Sequence, residues 1–229
     1  MLLALDTSTR RAGLALYDGE RGLIAEEGWY SANRHTVELL PRVDQMLAVA
    51  GASPAELRAV AVALGPGSFT GLRVALAAAK GLALARGLPL LGVPTLDVVA
   101  YPYSRQPLPV IAVLPAGRGR VYWAPYAEGP DGWGARAAYA LTSVAQLADA
   151  ISQPTLIVGE LPPAERQALL ERLGDTVHLL PPALAARRAG YLAEIAWGRY
   201  VAGEADDPAS LRPIYLHEPA SGSSQIAEP

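Results

Sequence analysis

The chain has 229 residues, 51% of them hydrophobic and 18% charged, with a formal net charge of −3. That apolar content fills one large core or two modest ones and excludes intrinsic disorder. The lack of a basic excess argues against a protein that grips RNA or anionic lipid by its own charge, and the absence of cysteine removes disulfides, thiol nucleophiles and cysteine-based zinc sites together.

The N-terminus has no basic region and meets Asp6 after five residues, so no signal peptide is expected. Even the apolar stretch after Gly71 carries Arg73 and Lys80, so no membrane span is expected and the cytoplasm is the natural location. Residues 2–5 form a short apolar run ending on the polar loop Asp6-Thr7-Ser8-Thr9-Arg10-Arg11. Residues 13–17 read as a second strand, and the Asp18-Gly19 turn leads into a third over 23–30. Over 36–50, Val37, Leu40, Val43, Leu47 and Ala50 recur at helical spacing until Gly51. Pro41 has no amide hydrogen, so the regular helix either starts near Leu40 or bends there. A fully apolar strand over 59–64 is followed by the turn Gly65-Pro66-Gly67-Ser68-Phe69-Thr70-Gly71 and a helix to Arg86 closed by Gly87. A strand over 90–93 and a short helix over 95–101 end this half.

Residues 101–109 hold three prolines and no periodicity, as a linker would. Strands are then expected over 110–114, 121–126 and 136–141, and Ser143 with Gln146 reads as a capping box for a helix to Ile151. A strand over 155–158, a helix over 163–173 stopped by Gly174, a strand over 176–179 and a final helix over about 184–201 follow. Both halves therefore run β-β-β-α-β-α-β-α without detectable sequence repetition. That order predicts a two-lobed, actin-like α/β fold with lobes at 1–103 and 104–220 and a loose tail over 221–229.

The hydroxyls and amides of Asp6-Thr7-Ser8-Thr9 can hold a phosphate while the Asp orients a metal-bound or nucleophilic water. The same residues equally suit a polar turn that satisfies its own backbone. Gly65, Gly67, Ser68 and Gly71 form a strand-to-helix turn, with Ser68 or Thr70 as N-cap, that lets the backbone approach another group closely. The turn lacks the Gly-Lys-Ser/Thr ending of a Walker A loop. On the following helix, Gly71, Ala75, Ala78 and Leu82 share one face, while Arg73, Ala77, Lys80 and Leu84 share the opposite one with Leu76 beside them. The second face reads as a docking surface or as part of a helix buried on both sides. His35, His178 and His217 lie at no metal-binding spacing, so neither a metal nor a cofactor is expected, and His35 reads as a local hydrogen-bonding residue.

Residues 63–74 (Ala-Leu-Gly-Pro-Gly-Ser-Phe-Thr-Gly-Leu-Arg-Val), continuing through 79–83, resemble the TsaB family, also called YeaZ. The resemblance extends to residues 3–9, to 35–41, to Gly92-Val93-Pro94-Thr95-Leu96-Asp97 and to Pro213-Ile214-Tyr215-Leu216, which matches the family's closing strand. It implies an actin-like, RNase H-like (ASKHA) fold. It further implies a non-catalytic subunit that works with the catalytic paralogue TsaD and the ATPase TsaE to place threonylcarbamoyl on N6 of a tRNA adenosine. On this resemblance tRNA is met only through the complex, the isolated chain is a homodimer, and Asp6, Thr7, Ser8 and Thr9 are a vestigial phosphate loop. The partner interface would take in His35, Leu39, Arg73, Leu76, Ala77, Lys80 and Leu84. The chain departs from the family at Pro115-Ala116-Gly117-Arg118, where Asp-Ala-Arg is usual, and at His217, where arginine is usual. An ATP-dependent small-molecule kinase of the same superfamily is the second reading and a metal-dependent glycopeptidase the third.

Overall fold

The computed structural model describes residues 1–130 and 132–216; His217 and the tail over 221–229 lie outside the described residues. β1 (Leu2–Asp6), β2 (Arg11–Asp18) and β3 (Gly22–Tyr30) form an antiparallel meander. After α1 (His35–Val49), β4 (Ala59–Ala63) pairs parallel to β1; α2 (Phe69–Arg86), β5 (Leu90–Val93) and α3 (Thr95–Ala100) follow. The second set is β6 (Val110–Gly117), β7 (Arg120–Gly129), β8 (Gly132–Ala135), β9 (Ala140–Ser143), α4 (Val144–Asp149), β10 (Thr155–Gly159), α5 (Pro163–Leu173), β11 (Val177–Leu179) and α6 (Ala189–Val201). Strand order is β3-β2-β1-β4-β5 in one sheet and β8-β7-β6-β10-β11 in the other, with β9 also on β7. The repeated element order is thus a repeated sheet topology.

Three local outcomes differ from expectation. The third strand of the second half is two short ones, β8 and β9, on opposite ends of β7, because Arg136 folds back onto the carbonyls of Ala127 and Gly132 and bends the chain between them. α1 runs through Pro41 from His35, without waiting for Leu40. The last helix begins at Ala189, because the amides of Leu184 and Ala185 both close onto the Pro181 carbonyl as an isolated turn and Arg188 is extended.

Side-chain alternation decides what covers each sheet. On β1, Leu3 and Leu5 join the core under α1 and α2, while Leu2 and Ala4 face α6. The α6 side of the sheet is rich in alanine (Ala4, Ala15, Ala59, Ala61, Ala63), with Leu2, Leu91 and Val93 beside them, and packs on Ala189, Leu192, Ala193 and Ala196 of the helix. α4 and α5 cover the outer face of the second sheet, and α3 covers its inner face through Leu96, Val99 and Ala100. Helices and sheets therefore stack in five layers, with α3 and α6 between the sheets. Each of these two inner helices covers the sheet that it does not directly follow, so a break at residue 103 separates the sheets but not the helices that bury them. The C-terminal segment returns to the first lobe: Asp206 pairs with the β5 edge at Leu90, and the Ile214 amide donates to the Leu64 carbonyl at 2.8 Å. Pro213-Ile214-Tyr215-Leu216 runs there without forming a regular strand.

Candidate functional site

The β1–β2 loop and the glycine turn form one interlocked unit. Ser68 caps α2 by accepting from the Gly71 amide. The Ser68 amide donates to the Ser8 carbonyl at 2.6 Å, and the Thr7 hydroxyl donates to the Gly71 carbonyl at 2.6 Å. A Cβ at Gly67 would fall on the Ser8 carbonyl and one at Gly71 on the Thr7 carbonyl, so both positions need glycine for contact between backbones. At Gly65 the reason is instead its φ of +99°. Ser8 and Thr95 share a hydrogen bond between their hydroxyls at 2.9 Å, and the Gly65 amide donates to Thr95 Oγ1 at 2.9 Å. Asp6, Thr7, Ser8 and Thr9 are all buried. Their side-chain oxygens all have partners within the chain, some in the loop itself and others far away in sequence.

Asp6 does not face the cleft as a free carboxylate. It accepts the Ser8 amide at 2.8 Å and is paired with Arg187, whose side chain is 2% exposed. Arg187 donates from Nε to Asp6 and, at 2.5 Å, from Nη1 to Glu160; its Nη2 reaches the Arg11 carbonyl at 2.9 Å. Thr9 donates to the other Glu160 oxygen at 2.8 Å. The two carboxylates hold the guanidinium pKa above its ordinary value against the opposing effect of burial. Sequence reading missed both Arg187, which it placed inside a helix, and Glu160. The available signal was Glu160 directly after a strand in the second half, close to the position that Asp6 takes at the end of β1 in the first.

An inter-lobe cleft of about 840 Å³ lies over this unit, lined by Ser8, Thr9 and Ser68 on one side and Gly117, Glu160 and Arg166 on the other. The β6–β7 hairpin contributes Pro115, Ala116 and Gly117 to the wall, so no acid comes from that position. Among the described residues no group of three or more His, Asp or Glu side chains converges as metal ligands, and no helix is long and apolar enough to cross a membrane.

The residues expected at a partner interface divide. His35, Leu39 and Leu76 are 6%, 1% and 6% exposed and lie in the core, not on the surface. His35 and Leu39 belong to the buried stripe of α1 with Val43, Met46 and Leu47, and Leu76 to that of α2 with Leu72, Ala75, Ala79 and Ala83, whereas Ala78 and Leu82 are only half-buried. Arg73, Ala77 and Leu84 are exposed. Arg73 lies 3.7 Å over the Phe69 ring and donates to the Tyr215 hydroxyl, and Lys80 donates to the Leu211 carbonyl, so both cations brace the returning C-terminal segment. What α1 and α2 leave open is an apolar groove that includes Leu40, Phe69, Val74, Ala77, Gly81 and Leu82.

Burial holds the His35 imidazole below its ordinary pKa of 6.5; Glu38, Asp6 and the Thr9 backbone only partly oppose it.

Twin sheets of one topology with a cleft between them define a two-lobed α/β protein of the actin-like class. Solved YeaZ from Pseudomonas aeruginosa superposes with a TM-score of 0.76 at 27% identity, covering 94% of this chain and 99% of that one. The family model described as TsaD, tRNA N6-adenosine threonylcarbamoyltransferase, matches residues 29–183. The Escherichia coli tRNA threonylcarbamoyladenosine biosynthesis protein TsaB is 37% identical over 133 residues, which span 57% of this chain and 57% of that protein. An uncharacterized Mycobacterium bovis protein, Mb3455c, is 34% identical over 228 residues, covering 95% of this chain and 92% of its own length. The chain belongs to the TsaB (YeaZ) family.

Proposed function

We propose that this chain is a non-catalytic subunit in the biosynthesis of threonylcarbamoyladenosine in tRNA, acting with a TsaD-like transferase and a TsaE-like ATPase. The observation that carries the reading is the pairing of Asp6 with Arg187. The one acid of the candidate phosphate loop is already neutralised by a cation of its own chain, and the loop hydroxyls are bonded to groups of the same chain. A kinase of this fold would need that acid and further phosphate contacts from the second lobe, where Pro115-Ala116-Gly117 stands. The open groove between α1 and α2 is the surface we assign to self-association and to the TsaD-like partner, with tRNA engaged only in the complex. Burying Leu40, Val74, Ala77 and Leu82 there removes apolar area from water at about 25 cal/mol per Å².

The test is reconstitution of tRNA modification from purified components. Product should require this chain together with the TsaD-like and TsaE-like proteins, and Ala77→Trp should abolish both product and co-elution while leaving the melting temperature of the isolated chain nearly unchanged. ATP turnover by the isolated chain, or full modification without it, would refute the reading.

A further inference from the structure

We infer that Arg187 is a built-in clamp that holds the two lobes at one fixed opening of the cleft. It sits at the end of the segment joining β11 in the second lobe to α6 on the first. The residues before it, Pro181 to Ala186, are exposed or half-buried. A cavity of about 340 Å³, lined also by Tyr103 and Tyr191, adjoins this segment over 183–188, while the main cleft adjoins it at Pro182, Ala185 and Ala186. The Tyr103 hydroxyl donates to the Leu184 carbonyl at 3.2 Å and the half-exposed Arg188 pairs with Glu26, but the buried tie of this segment is the Arg187 side chain, 2% exposed.

That side chain ties both lobes at once. Nε and Nη2 reach the Asp6 carboxylate at the end of β1, Nη2 also reaches the Arg11 carbonyl of β2, and Nη1 reaches Glu160 beyond the end of β10. Glu160 is drawn across the cleft by both oxygens, one to Arg187 and the other to Thr9. A guanidinium suits this position because its planar fork serves two carboxylates in different directions; an ammonium would supply the charge without the geometry. While the clamp is engaged the cleft neither widens nor closes over a ligand, and Asp6 is not offered to a diffusible cation.

The chain contains no cysteine, so spin labels can be placed cleanly at Gln45→Cys on α1 and Glu171→Cys on α5, both exposed and on the outer layers of opposite lobes. Pulsed electron–electron distance measurement on the full chain should give one narrow distribution. Glu160→Ala, which cuts the second-lobe tie and leaves Asp6 paired, should at least double its width, and Arg187→Met should do the same or more. Arg187→Lys should restore the width only in part. If Arg187→Met does not fold, Glu160→Ala alone decides. A distribution unchanged in Glu160→Ala, even with a lowered melting temperature, would reduce these residues to stabilisers and overturn the clamp, as would a broad distribution in the unsubstituted chain.

Discussion

Contacts between backbones at the glycine turn leave no room for a side chain. Gly71→Ala drives a Cβ into the Thr7 carbonyl at the N-terminus of α2, and we expect a loss of about 3 kcal/mol, read from thermal or urea denaturation. A variant within 0.5 kcal/mol or so of the parent would mean that the loop shifts freely. His35 supplies a pH signature. Its folded pKa lies below 6.5, so at pH values between the two the unfolded chain binds more protons and stability rises with pH. The contribution is complete above the unfolded value and is lost as pH falls below it towards the folded one. The slope of stability against pH in that window should flatten in His35→Gln; an identical slope would place the titration elsewhere.

Helix α2 shows how one rotation redistributes roles. Leu76 belongs to the stripe buried against the first sheet, whereas Leu84 is 70% exposed. Leu76→Ala should therefore cost about 2–5 kcal/mol through lost burial and a cavity, and Leu84→Ala should change the stability of the isolated chain by less than about 0.5 kcal/mol. Equal costs in denaturant titrations would show that the helix sits differently. The helix ends follow local chemistry more directly: Ser68 and Gly87 bound α2, and Ser143 with Gln146 forms both halves of a capping box on α4.

For the whole molecule, a net charge of −3 leaves little counterion release on meeting RNA. The isolated chain should bind tRNA weakly and without selectivity, with an affinity that fades further as salt rises. Submicromolar binding at physiological salt in a filter or anisotropy titration would contradict this. At the same scale, α3 and α6 between the sheets and the C-terminal return onto β5 and α2 make the two lobes interdependent, which a linear division of the chain does not convey.

Periodicity, turn residues and the Gly65–Gly71 signature made element order, doubled topology and family legible from the sequence, because each is written in neighbours a few positions apart. The same local signals singled out the Asp6–Thr9 loop and the helix that follows Gly71. They did not reveal that α2 turns Leu76 inward and leaves Ala78 at a groove, since a helix with small and apolar residues on several sides has no single face to bury. Nor did they reveal Arg187 and Glu160, whose meaning comes from Asp6 and Thr9, more than a hundred residues away in the chain. Only when the second sheet folds against the first do two carboxylates from different lobes converge on that guanidinium, and a buried charge is stable there because they do.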